Sequence, residues 1–345
     1  MKNYKAFLIV LFLPFLFNGC TKKEKITSSH SITITDYANR EVILEKPAER
    51  IIVMADNAFM IVKQLGAIEN VVALDSKTKG YLDLYLTSKT NPELESLPDV
   101  GKTKNPNYEL ILSLNPDLIL FKGNEESADI IQEKTGIPVA NIISKPGYDF
   151  EIYNLIGKLL GKEKEANEII SELQTRKEKL ETLLTKVVDK RSAYIVKQNS
   201  KNNLFKTLKN SDSLTLASIE NVAAMASKTD EWGFAEISRE EFLNWNPEFI
   251  ILDMPTSDSS ITKLMLVKDE TYQFQNAIKE DKIFNTHSFS CPKDYVFVIA
   301  EAYYYAYIAY PNIISEREYK TAIDGLFEKS YGIKNYYEEW KNSLD

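Results

Sequence analysis

Glu109-Leu-Ile-Leu-Ser-Leu-Asn-Pro-Asp-Leu-Ile-Leu-Phe121, in the first half of the chain, has a counterpart in the second: Glu240-Glu-Phe-Leu-Asn-Trp-Asn-Pro-Glu-Phe-Ile-Ile-Leu252. Each reads as a short helix opened by an acid, a stop at Asn-Pro, a second acid, and a buried strand of four apolar residues. A glutamate in a first helical turn suits the helix dipole, and a residue before proline is pushed out of the α region. Either feature alone is common. Their recurrence in the same order over thirteen positions predicts two lobes built on one plan.

The flanking sequence fits that plan. Ser31-Ile-Thr-Ile-Thr-Asp36 alternates as a half-exposed strand should, and Ile51-Ile-Val-Met54 is a continuous apolar run of the buried parallel kind. Phe59, Ile61, Val62 and Leu65 fall at helical spacing and stop at Gly66, and Val71–Leu74 and Leu118–Phe121 read as further strands. Strands alternating with helices predict an α/β lobe with a mainly parallel sheet over residues 33–148.

From Asp149 the pattern turns helical. One helix runs to about Leu160 and breaks at Gly161. A second, from about Glu163 to Val188, carries Ala166, Ile169, Ile170, Leu173, Leu180, Leu183, Leu184 and Val187 on one stripe. About 26 residues at 1.5 Å each give roughly 39 Å, a stiff strut across residues 149–190 rather than a loose hinge. Ala193–Val196 and Phe249–Leu252 then open a second α/β lobe over residues 191–345. Tyr303, Tyr307 and Tyr310 share one face of a later helix, expected to pack in the core or between lobes.

The 345 residues suffice for two domains, and 44% hydrophobic with 27% charged residues is ordinary globular composition. A net charge of −8 argues against a nucleic-acid partner, which needs a basic face. Residues 1–19 have a basic start (Lys2, Lys5) and an apolar run, Phe7 to Phe17, too short to cross a bilayer, as in an export signal. Asn18-Gly19-Cys20 and the polar stretch after it resemble a bacterial lipoprotein signal, although Phe17 stands where an aliphatic residue is usual. Cys20 would then be the lipidated N-terminus, residues 20–32 a tether, and the membrane a partner through that lipid. Loss of the two lysines takes the charge to −10. Cys291 is left as the second of two cysteines, read as a small buried residue.

The order Ile34-Thr-Asp-Tyr-Ala-Asn-Arg-Glu-Val42, Pro47-Ala-Glu-Arg-Ile-Ile-Val53, Val100-Gly-Lys102 with Pro106-Asn-Tyr-Glu109, Asn115-Pro-Asp-Leu-Ile-Leu120 and Ile237-Ser-Arg-Glu-Glu-Phe-Leu243 resembles one class of periplasmic binding proteins. In that class one long helix joins two lobes. Its members deliver ferric siderophores, haem and cobalamin to ABC importers. The resemblance spans about residues 33 to 330. It implies two Rossmann-like lobes, a small-molecule metal chelate as ligand, a membrane permease as partner, no catalysis, no resident cofactor and a monomer outside the cytoplasm. It also carries permease docking onto Glu109 and Glu240.

Ligands of open α/β sheets bind beyond the carboxyl ends of the strands. The loops there supply Asp56, Asn57, Lys77, Lys79, Tyr81, Lys102, Lys104, Lys122 and Asn124 in the first lobe. In the second they supply Lys197, Gln198, Asn199, Trp232, Asp253, His287, Ser288 and Phe289. Lysines gathered at one rim of an acidic chain would focus an anion. These loops hold no arginine, the residue that often grips siderophores in such proteins, which leaves haem, corrinoids and small oxyanions open. A free Zn or Mn carrier is disfavoured because only His287 lies in the lobes, His30 falling in the tether. For an exported enzyme there is no Gly-x-Ser-x-Gly, His-Glu-x-x-His or Cys-x-x-Cys. Gly157-Lys-Leu-Leu-Gly-Lys162 has three residues between its glycines rather than the four of a phosphate loop. A structural surface lipoprotein is the remaining alternative.

Overall fold

The computed structural model describes residues 31–143, 147–197, 204–230, 233–253, 261–286 and 294–344. It opens with an antiparallel hairpin, Ile32–Thr35 against Glu41–Leu44. Two four-stranded sheets come next, parallel throughout. The first orders its strands Val71–Leu74, Ile51–Met54, Leu118–Phe121, Val139–Asn141. The second orders Glu220–Asn221, Ser192–Val196, Phe249–Asp253, Ile283–Thr286. In each, the first strand of the lobe lies inside and the chain crosses to both sides of it. The two-lobed α/β architecture expected from the sequence is therefore present.

The repeated stretch has a local cause visible in both lobes. Helices Tyr108–Ser113 and Arg239–Trp245 end where Asn115 (φ 47°) and Asn246 (φ 41°) adopt left-handed backbone. Asparagine tolerates that conformation better than most residues, and the proline after it prevents further helix. The acid after the proline ties the strand to its neighbour. Asp117 Oδ2 accepts from the backbone N–H groups of Glu49 (2.9 Å) and Arg50 (3.0 Å), while Glu248 accepts from Arg191 at 3.0 Å. Arg50 and Arg191 each immediately precede the first strand of their parallel sheet, so the correspondence extends beyond the stretch itself.

Helix Glu151–Leu160 leads through Gly161 into the long helix Glu163–Leu184. Gly161 sits at φ 65°, and a Cβ there would meet Pro47 Cγ at 2.9 Å, so both backbone and space require glycine. The long helix has 22 residues, about 33 Å, and ends before the expected Val188. Val187 still packs partly against the core, but Val188 is 91% exposed: the apolar spacing continued past the helix that it described.

The chain then closes on itself. Helix Tyr295–Ala309 is apolar on nearly every side, with Glu301 its one charged residue, and is mostly buried. Tyr303 on it donates to the Arg176 carbonyl of the long helix at 2.9 Å, Tyr307 stacks on Tyr319, and Tyr310 donates to the Ser218 carbonyl. Helix Glu316–Tyr331 lies along the long helix and also reaches helix Asp56–Gln64 of the first lobe. Among the described residues, no helix is long and apolar enough to cross a membrane.

Candidate functional site

Parallel strands of one lobe all end on the same side, so the residues just past them converge. In the first lobe these are Asp56, two past Met54; Lys77, in the first turn after Leu74; and Lys122, one past Phe121. Lys77 Nζ lies 2.6 Å from Asp56 Oδ2, and Lys122 Nζ lies 2.9 Å from Asp56 Oδ1. Burial pushes the Asp56 carboxyl up, but the two ammonium groups together outweigh burial and hold it below the usual carboxylate range. The Asp56 side chain is 2% exposed, whereas those of Lys77 and Lys122 are 52% and 31% exposed. A buried carboxylate thus anchors two cations that reach solvent. Asp75 caps the helix carrying Lys77 by accepting from Thr78 N at 3.1 Å, and burial raises its carboxyl.

Asn57 adds a second polar feature. It is 1% exposed, and among the described residues neither its Oδ1 nor its Nδ2 has a hydrogen-bond partner. A buried amide left unpaired costs about 1–3 kcal/mol.

The second lobe presents the same pair with its signs exchanged. The strand register matches Met54 with Phe121 in one sheet and Val196 with Leu252 in the other. Lys197 therefore stands at the place of Ala55, one residue before Asp56, and Asp253 at the place of Lys122. Lys197 and Asp253 are ion-paired with side chains only 16% and 7% exposed. Burial raises the Asp253 carboxyl despite the Lys197 ammonium beside it.

The other residues expected at the cleft are used differently. Lys79 donates to the Glu95 and Leu97 carbonyls at 2.9 and 2.6 Å, pinning its own loop. Asn124 caps helix Glu125–Thr135 by accepting from Ser127 N at 2.9 Å. Tyr81 is exposed at the end of the Lys77 helix. Lys102 and Lys104 are exposed on a hairpin held to the carboxyl end of Val71–Leu74 by Val100 N–H to Leu74 O, 2.9 Å. Cys20, His30, Gln198, Asn199, Trp232, His287, Ser288, Phe289 and Cys291 lie outside the described residues. Glu109 and Glu240 are each the second residue of the paired helices, one per lobe, and both are exposed.

Sequence reasoning missed a buried cluster between the lobes. Gln64 Nε2 donates to both Asp294 oxygens at 3.1 Å and to Tyr331 Oη at 2.9 Å, while Tyr153 donates to Gln64 Oε1 at 2.6 Å. Tyr331 also donates to Asp294. Asp294 is fully enclosed, and burial raises its carboxyl. The cluster joins first lobe, linking helix and second lobe. A groove of about 410 Å³ between the opening hairpin and helix Glu151–Leu160, lined by Thr33, Asp36, Tyr37 and Lys158, includes none of the paired lysines.

With this geometry in place, the chain matches the family described as periplasmic binding proteins over residues 37–288, and it belongs to that family. The family consists of extracytoplasmic substrate-binding proteins that take small-molecule ligands and partner with ABC importer permeases. The chain is 26% identical over 275 residues to the molybdate-binding protein MolA of Haemophilus influenzae, covering 73% of this chain and 76% of that one. It is 27% identical over 202 residues to the iron-uptake system-binding protein of Bacillus subtilis, covering 55% of this chain and 59% of that one. In structure it resembles an ABC transporter solute-binding protein of Sulfurospirillum deleyianum, with a TM-score of 0.72 at 18% identity, covering 90% and 99% of the two chains.

Proposed function

We propose that the chain captures an anionic metal chelate between the two sheet edges and passes it to an ABC importer. A ferric siderophore is the first candidate, with haem and corrinoids next. The observation that carries this reading is the Asp56 cluster. One carboxylate and two ammonium groups give these three side chains a net formal charge of +1, and both lysines reach solvent at the carboxyl edge where this fold takes ligands. A second reading, a small oxyanion, is favoured by the similarity to a molybdate-binding protein.

Titration with a ferric catecholate, a ferric hydroxamate, haem, cobalamin and molybdate, monitored by tryptophan fluorescence, is expected to give saturable binding with one of these anions or chelates. No response to any of them, with a response to a bare divalent cation, contradicts the proposal.

Glu109 and Glu240 serve in this reading as permease contacts, one from each lobe, where opposite charge on the partner sets orientation. Their equivalent places on paired helices support the assignment. Changing both to Arg is expected to abolish cellular uptake while solute affinity stays as it was. Uptake that persists in the double variant refutes the role. Cys20 in this reading carries the lipid that holds the protein at the membrane surface, as a monomer.

A further inference from the structure

The carboxyl edge of the second sheet holds one more ionisable group. Glu301 lies in the middle of helix Tyr295–Ala309 and is the only charged residue in those fifteen. Its carboxyl is enclosed by protein and hydrogen-bonded through both oxygens. Glu301 Oε2 accepts from Ser213 Oγ at 2.9 Å, and Oε1 accepts from Thr286 Oγ1 at 3.3 Å. Thr286 is the last residue of its strand and pairs in register with Asp253, which is in turn bonded to Lys197. Glu301 is half-buried. Lys197, Asp253, Thr286 and Glu301 therefore form one polar group at the carboxyl edge of this sheet.

We propose that this group is the second lobe's half of the solute site and that Glu301 makes it proton-linked. Capture of an anion requires the Glu301 carboxyl to be neutral and takes up a proton from solvent when it is not. The inference rests on the reading that the solute is an anion held between the sheet edges. Its physical basis is charge. Lys197 and Asp253 cancel each other, so an ionised Glu301 would leave this half negative and repel the anion. A protonated Glu301 leaves it neutral and adds an O–H donor.

Burial is the chief reason that the Glu301 carboxyl is lifted, to about 8, with the Asp253 carboxylate adding to it. The Ser213 hydrogen bond, the Lys197 ammonium and the Thr286 hydrogen bond act in the opposite sense. Further titratable groups near it are Tyr305, on the same helix, Tyr148, from the segment leading to the linking helices, and Asp212, beside Ser213 on the helix packed against this one; burial raises both phenols above their usual range. An approaching anion would raise the Glu301 carboxyl further, so the bound state holds more proton than the free state. Affinity is then full below about pH 8 and falls as pH rises through that value.

The test is calorimetric titration of the full chain with molybdate, ferric citrate and a ferric triscatecholate between pH 7.5 and 9.5, in buffers of different ionisation enthalpy. The wild type is expected to lose about tenfold in affinity per pH unit above 8, with proton uptake approaching one per anion. Glu301→Gln, which cannot ionise, is expected to remove both the slope and the uptake. Ser213→Ala, which removes a bond to the ionised form, should move the slope to higher pH and keeps the test open if the glutamine variant misfolds. Equal slopes and equal proton counts in wild type and Glu301→Gln overturn this inference while leaving the anion reading intact. A chain that binds none of these three anions, nor haem or cobalamin, at any pH overturns both.

Discussion

Asp294→Ala is expected to destabilise the protein by about 3–5 kcal/mol. The Asp294 side chain caps helix Tyr295–Ala309 by accepting from Val296 N at 2.9 Å, a contact worth about 1 kcal/mol. It is also the acceptor for Gln64 and Tyr331, both buried. Removing it leaves an amide and a phenol without that partner inside the protein, at about 1–3 kcal/mol each. At roughly 2–4 °C per kcal/mol for chains of 150–250 residues, the unfolding temperature should fall by about 10 °C. Asp294→Asn keeps the shape and most of the bonds and should cost much less. Thermal unfolding of the two variants side by side checks this; equal small shifts would show that the cluster carries little stability. The cluster also bears on function. Gln64 is the last residue of the helix whose first residue is Asp56, so one rigid rod of about 13 Å connects the inter-lobe contact to the charged edge.

Neutralising the charged cluster should produce the largest loss of solute affinity. A hydrogen bond to a charged group is worth about 1.5–3 kcal/mol, or about 10–100-fold in a dissociation constant. Removing both lysines alone would strand Asp56, at a cost of about 3–5 kcal/mol for an unpaired buried charge. The informative variant is therefore Asp56→Asn with Lys77→Met and Lys122→Met, which removes all three charges together. Affinity for the bound anion is expected to drop more than about 100-fold if the two lysines contribute independently. A single Lys122→Ala leaves Lys77 on Asp56 and should fall between the two.

Much of the fold was legible because its cause is local. Asn115 and Asn246 before proline specify a left-handed stop that few other residues accept, and four apolar residues after it specify a buried strand. Asp56, Lys77 and Lys122 could be nominated because a parallel sheet gathers the residues just past its strands on one side. Their bonding to each other was not legible, since Asp56 and Lys122 are 66 residues apart. Lys79 and Asn124 had the same credentials, but the fold engages one with the carbonyls of a returning loop and the other with a helix cap. Gln64 and Asp294, 230 residues apart, left only a weak trace: an acid before an apolar run reads as a cap. Glu301 left a stronger one, a lone charge in an apolar helix, which burial alone would penalise unless something used it. The long helix was overextended because Val187 and Val188 keep the apolar spacing after the chain has turned away.

The paired lysines at the carboxyl edge of the first sheet are central to the proposal, as the groups that would hold an anion. Parallel calorimetric titrations of the wild type and the Asp56→Asn, Lys77→Met, Lys122→Met variant test that role most directly, using whichever anion of the panel binds. The wild type is predicted to bind saturably, one to one, with affinity weakened more than about 100-fold in a variant that remains folded. Equal affinity in the two proteins would contradict the role.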